Sequence, residues 1–237
     1  MPKFNRYLLC LLGLLPACGW SAEVRLTVAE PSRVARSAWP VTSGIPLGRG
    51  VLSDVNSVAL SDGQGKPIPL QTEVLTRWPD GSIRWLLLDF PIDLRANETS
   101  VLKLRHGEDV VAERPASAFR VEETDDSVTL DTGALRIEVS KKRFRLLDQV
   151  WLDRDGDGRY AAEERVTASQ GAGIEVATPN GDLFRADSGP CQVRIEQRGP
   201  LRACLRIEGD HTGPSGKMFR YIVRLHAWRG QPFVRLH

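Results

Sequence analysis

Between residues 23 and 236 the chain is organised by alternation. Residues 23–28 (EVRLTV), 99–105 (TSVLKLR) and 218–228 (MFRYIVRLHAW) place apolar side chains at every second position, the period of a strand with one buried face. Shorter runs at 57–60, 127–131, 134–139 and 233–236 read the same way. Residues 144–152 read as a strand leading into an acidic loop. Residues 160–168 are the one stretch that predicts a helical turn. An all-β fold follows.

The strongest hairpin signal is at 77–85, Arg-Trp-Pro-Asp-Gly-Ser-Ile-Arg-Trp. Pro79 presets φ at the first turn position and Gly81 supplies the positive-φ position, so a type I turn closed by a G1 bulge is expected. That register sets Leu75 opposite Trp85 and leaves Trp78 at the mouth of the turn. The run 85–88 is apolar at every position, which predicts a strand buried on both faces. Trp78 and Trp85 are expected to staple this hairpin into the core, with a carbohydrate-stacking platform as their functional alternative. Residues 39–50, dense in Pro and Gly, predict an ordered loop followed by an edge strand.

The turns divide the chain. Residues 23–107 predict a small barrel of five or six short strands, residues 108–117 a polar linker, and residues 118–237 a second, sandwich-like β unit. The last strand runs to His237 without a cap or polar tail, so the second unit is expected to be incomplete and the chain to be the front part of something longer.

Lys3 and Arg6 precede the apolar run 7–15, and Ala17, Gly19, Ser21 and Ala22 follow it, the pattern of a secretory signal peptide over residues 1–22. Export to the periplasm or the exterior is expected, with lipidation of Cys18 as the lesser alternative. Removing this segment leaves 30 basic and 30 acidic residues, which gives no reservoir of positive charge for nucleic acid. No other run is long enough to span a membrane. Cys191 and Cys204 remain in the mature chain, where an oxidising compartment permits a disulfide. If the apolar faces of the strands around Gly199-Pro200 pair, the two thiols point apart; a bulge would reverse this.

Candidate chemistry concentrates in 153–164, which satisfies D-x-D-x-D-G-x5-E. Asp153, Asp155 and Asp157 can converge on one hard cation. Gly158 permits the sharp turn, Arg159 offers its backbone carbonyl, and Glu164 offers a bidentate carboxylate. A structural calcium ion on a β scaffold is expected. The four histidines, His106, His211, His226 and His237, have no metal-ligand spacing, and no nucleophile or nucleotide motif is present. Glu73, Asp80 and Asp89, near the Trp hairpin, are the acids to watch, with turn and rim solvation as their ordinary role.

Residues 44–50 (GIPLGRG), 69–71 (PLQ) and 77–85 resemble the N-terminal RIFT-barrel domain of the exo-rhamnogalacturonan lyase family. Residues 131–135 and 150–158 are similar to the start of that family's central β-sandwich domain. The resemblance implies an acidic plant-type polysaccharide as partner. It also implies a C-terminal α/α toroid on which the cleft chemistry depends, and which these residues do not include. No catalytic residue carries over, and the chain alone is expected to be inactive as a lyase.

Overall fold

A computed structural model describes residues 22–107, 110, 111, 113, 119–167 and 173–237. The signal segment 1–22 lies outside them except for Ala22, as does most of the 108–117 linker.

Seven strands make the first unit: β1 (Ala22–Ala29), β2 (Arg36–Pro46), β3 (Val58–Ser61), β4 (Pro67–Ile68), β5 (Gln71–Arg77), β6 (Ile83–Leu94) and β7 (Thr99–His106). They form two antiparallel sheets, β1-β7-β3-β4 and β2-β6-β5. The inward positions of both sheets share one core that includes Leu60, Ile83, Leu86, Leu88, Leu102 and Leu104. Among the described residues ten strands make the second: β8 (Arg120–Glu123), β9 (Ser127–Asp131), β10 (Leu135–Ser140), β11 (Gln149–Leu152), β12 (Glu175–Ala177), β13 (Leu183–Arg185), β14 (Cys191–Arg198), β15 (Arg202–Gly213), β16 (Gly216–Trp228) and β17 (Val234–Leu236). Sheet β11-β10-β9-β8 packs on sheet β12-β13-β15-β16-β17, with β14 also paired to β15. Their inner faces, including Leu130, Ile137, Leu205, Ile207 and Leu225, make the second core, where the Phe144 and Tyr221 rings stack at 5.4 Å. The all-β expectation holds, because alternation commits each strand to a single buried face.

The hairpin turn is the predicted one. Gly81 N–H donates to the Trp78 carbonyl (2.9 Å), Trp78 N–H donates to the Ser82 carbonyl (2.8 Å), and Gly81 has φ +86°. Its register is not. Trp85 pairs with Thr76, while Leu75 is the extra residue of one bulge and Arg84 the extra residue of a second. Two bulges beside one turn turn Arg84 and Trp85 outward together, so the run 85–88 is not buried on both faces: Leu86 and Leu88 are fully buried, but Trp85 is 39% exposed.

Other expectations are also corrected. Residues 39–46 are strand, not loop: β2 is an edge, so Pro40 and Pro46 cost it no ladder partner. The predicted helical turn shrinks to the 3₁₀ turn Ala162–Glu164, and a second 3₁₀ turn, Ala186–Ser188, was not expected. In 144–152 only β11 is strand, since Leu146 has φ +68° and breaks the extension. Strands β8, β12 and β13 are too short and too polar to show a period. Both described cysteines are free thiols, with Cys191 opposite Gly209 and Cys204 opposite Gln197. Among the described residues no helix is long and apolar enough to cross a membrane.

Candidate functional site

The acidic loop leaves β11 and returns beside it. Trp151 bridges Arg165, Val166 N–H donates to the Val150 carbonyl (2.8 Å), and Asp153 N–H donates to the Ala134 carbonyl (3.1 Å). The loop's two ends are therefore clamped to the sandwich, and its interior must satisfy its own backbone. Its carboxylates do this. Asp153 accepts from Gly156 N–H (2.7 Å) and Gly158 N–H (3.0 Å), and Asp155 accepts from Asp157 N–H (3.1 Å). Glu164 reaches back to accept from Arg154 N–H (2.7 Å) and Ala161 N–H (3.0 Å). Gly156 and Gly158 take φ of +76° and +74°, which side chains with a Cβ resist.

This folding gathers three carboxylates. One oxygen each from Asp153, Asp155 and Glu164 lies within 4.8 Å of the other two, and Glu164 is only 9% exposed. Asp157 is outside this group; it accepts from Arg159 N–H (2.7 Å). Nothing places the Arg159 carbonyl toward the group. No described Lys, Arg or His pairs with any of these loop carboxylates. Hard oxygens that converge without an internal counter-charge fit a calcium-type cation. Beside the loop, the Tyr160 hydroxyl donates to Asp131 (2.7 Å), and burial together with that acceptor pushes its pKa up.

The hairpin residues make local contacts. The Trp78 indole N–H donates to the Leu47 carbonyl (3.0 Å), and the Arg84 guanidinium covers its ring at 4.7 Å. Trp85 packs against Gly44, and no ring contact joins the two tryptophans. Asp80 is a turn acid. It accepts from Ser82 Oγ (2.6 Å) and Ser82 N–H (3.0 Å) and pairs with Arg49 (2.9 Å), which holds its pKa down at about 2.

Asp89 is not on a rim. It is 1% exposed, at the joint between the two units, where it accepts from Thr42 Oγ1 and faces Arg202 Nη1 at 3.4 Å. Burial pushes its pKa up, against the pull of the Thr42 hydrogen bond and Arg202. Gln197 accepts from the Arg202 guanidinium and donates to Glu73. Gln71 takes Leu201 N–H and Arg202 N–H (2.9 Å each) and donates to the Arg202 carbonyl (3.2 Å). A Cβ on Gly199 would lie 2.2 Å from the Gln71 side chain, so that turn is glycine because Gln71 fills its space. Beside this network lies a cavity of about 260 Å³ lined by Pro40, Pro69, Phe90, Pro91, Leu201 and Trp228. The joint was missed in the sequence. Its one legible signal was Asp89, a lone acid inside an apolar run.

Residues 26–104 match the PcRGLX-like N-terminal RIFT barrel domain, and residues 119–237 match the PcRGLX-like protein central beta sandwich domain. The chain belongs to the PcRGLX-like family. This is the rhamnogalacturonan-lyase-like family that its hairpin resembles. It is also similar to the uncharacterised protein YetA of Bacillus subtilis (strain 168), 27% identical over 193 residues, which are 80% of this chain and 22% of YetA. The chain thus spans about a fifth of the length of that relative. In this PcRGLX-like chain the matched hairpin joins β5 to β6 in the second sheet of the N-terminal domain, and the joint lies between the two matched domains.

One further constellation has the residue types of a nucleophile site. Cys204 Sγ lies 3.9 Å from His226 Nε2 and 3.7 Å from Glu196. Its electrostatics oppose that use. Burial and the Glu196 carboxylate push the thiol up to about 11, and burial with Arg202 pushes the imidazole down to about 4. At neutral pH both groups are uncharged and the thiolate is scarce.

Proposed function

We propose that this chain is the exported, non-catalytic β portion of a rhamnogalacturonan- or pectin-lyase-like protein, with a structural calcium ion in the loop 153–164. In this reading residues 1–22 are the export signal and 108–117 join the two units. The observation that carries it is the ordered match of an N-terminal and a central family domain across residues 26–237. β-Elimination beside a uronate needs a positioned base and a cation or Arg at the carboxylate. Near the hairpin, Asp80 is occupied by its turn and Asp89 by the joint, which supports a supporting role for these units. The calcium assignment is supported by the convergence of Asp153, Asp155 and Glu164.

Incubation of the chain with rhamnogalacturonan, followed by ultraviolet absorbance of a new double bond, is expected to give no signal; a signal would overturn the non-catalytic assignment. Titration calorimetry is expected to show calcium binding, and the absence of both binding heat and any chelator effect on melting would remove the ion. A free-standing carbohydrate-binding or envelope-interaction module built on Trp78 and Trp85 is the second reading, favoured by the exposure of Trp85. It requires that Trp85→Ala lose glycan binding while remaining folded.

A further inference from the structure

The sheet built on β14, β15, β16 and β17 has two faces of opposite character. Its inner face is the sandwich core. Its outer face follows from the register: Arg194 lies opposite Arg206, Arg206 opposite Arg224, and Arg224 beside His237 at the end of β17. Four cationic or protonatable side chains thus cross four strands in one row. At about 4.8 Å per strand the row spans about 14 Å. Arg220 and Arg235 flank it on the same face. Like charges directly opposite across strands destabilise a sheet, so such a row needs compensation.

The compensation inside the chain is incomplete. Glu196 is shared between Arg224 (2.6 and 3.0 Å) and Arg206 (3.4 Å), and Glu208 between Arg206 (2.9 Å) and Arg220 (3.0 Å). Two carboxylates therefore serve three arginines. Arg194 bonds only the neutral Gln192 side chain (3.0 Å), and Arg235 stacks over Trp228 at 5.5 Å; neither has a carboxylate partner among the described residues. The buried Arg206 Nε has no acceptor. Asp210, opposite Arg220 on the same face, is taken by Lys217 (2.7 Å), so five arginines and one lysine stand against three carboxylates and an excess remains, although the whole chain has 32 basic and 30 acidic residues. The positive charge is segregated, not general.

We propose that this outer face of the sandwich binds the carboxylates of a linear acidic polysaccharide, with Arg194 and Arg235 as its two uncommitted guanidinium contacts. Guanidinium groups match planar carboxylates through paired N–H donors, and an extended row on a sheet suits an extended polymer more than a compact anion. The near-neutral remainder of the chain offers no wider field for a nucleic acid. The choice of polysaccharide rests on the proposed function; the location of the face does not.

The test uses the whole chain, polygalacturonate as the acidic probe, its fully methyl-esterified form as the neutral control and heparin as a sulfated polyanion. Arg194→Gln and Arg235→Gln remove charge without stranding an acid. Arg25→Gln, exposed on β1 of the barrel, is the control substitution. Binding to polygalacturonate is expected to weaken about threefold for each single variant and about tenfold for the pair. The salt dependence should drop by about one counterion per arginine, with melting unchanged. Binding that is equal in wild type and the double variant overturns the face and leaves the functional reading standing. No binding by the wild type also overturns it, whether or not another protein surface then proves to cover these arginines. Equal affinity for heparin or for the esterified polymer removes the carboxylate assignment. The functional reading is tested separately by double-bond formation.

Discussion

Two regions of this molecule hold buried or clustered carboxylates, and they resolve the same electrostatic problem in opposite ways. At the joint, Asp89 lies in the interior with its cation, Arg202, supplied by the chain itself and held by Thr42, Gln197 and Gln71. In the loop 153–164, Asp153, Asp155 and Glu164 converge, and the chain supplies only backbone N–H groups. A charge without an internal partner must find one outside or carry the repulsion. The joint therefore carries its own cation, a matter of stability, whereas the loop carboxylates pair with no cationic side chain among the described residues. The outer face of the sandwich is the mirror case, with arginines in excess.

The largest expected effect breaks the joint. Asp89→Ala leaves Arg202 buried without its counter-charge and should cost about 3–5 kcal/mol in urea unfolding. The double variant Asp89→Ala, Arg202→Met should recover much of that loss; if the double is as unstable as the single, the ion pair is not what holds the joint. The loop should respond to ligand instead. Calcium at about a hundred times its dissociation constant should add about 2.7 kcal/mol, read as a rise in melting temperature. Asp155→Asn should abolish that rise while hardly moving the melting point in chelator. A calcium effect of equal size in this variant would place the ion elsewhere.

Gly199→Ala sharpens the comparison from the packing side. Its Cβ would overlap a Gln71 side chain already committed to three hydrogen bonds, so a loss of about 1–3 kcal/mol is expected. The same substitution at Gly189, where the Cβ would meet only the Thr212 hydroxyl closely, should cost less.

His226 gives the pH dependence. Burial, with Arg202, His237 and Arg235 around it, holds its pKa down at about 4 against the pull of the Glu196 carboxylate, and the Cys204 thiol lies 3.9 Å from its ring. The unfolded chain takes up this proton near pH 6.5 and the folded chain only near 4. Stability contributed by neutral His226 is thus complete above pH 6.5 and declines as the pH falls toward 4. Because the ring is partly exposed, a loss on the order of 1 kcal/mol is expected after allowing for screening. A His226→Gln variant whose acid limb matches the wild type would show that another group titrates. Trp78→Phe should have the smallest effect, about 1 kcal/mol, for the lost hydrogen bond to the Leu47 carbonyl.

Much of the fold was legible because alternation is a local signal. The strands β1, β7, β9, β10, β15 and β16 and the 78–81 turn follow from residues close in sequence. The convergence of Asp153, Asp155 and Glu164 was legible for the same reason, since these residues lie within twelve positions. The register at Trp85 was not, because two bulges beside the turn depend on what each side chain packs against. Nor was the departure of Asp157 from the carboxylate cluster, which depends on how the loop's N–H groups are shared out.

The sequence alone determined an all-β chain of two units, the Pro79–Gly81 turn and a row of acids at cation-binding spacing. These rest on local periodicity and backbone preference, which need no knowledge of distant residues. Only the tertiary structure decided which charges are partnered. Asp89 and Arg202 are separated by more than a hundred residues, and Arg194, Arg206 and Arg224 share a face only through strand register. Coulombic compensation acts through space, so the same carboxylate or guanidinium can be a fastener or a binding group until its neighbours are known.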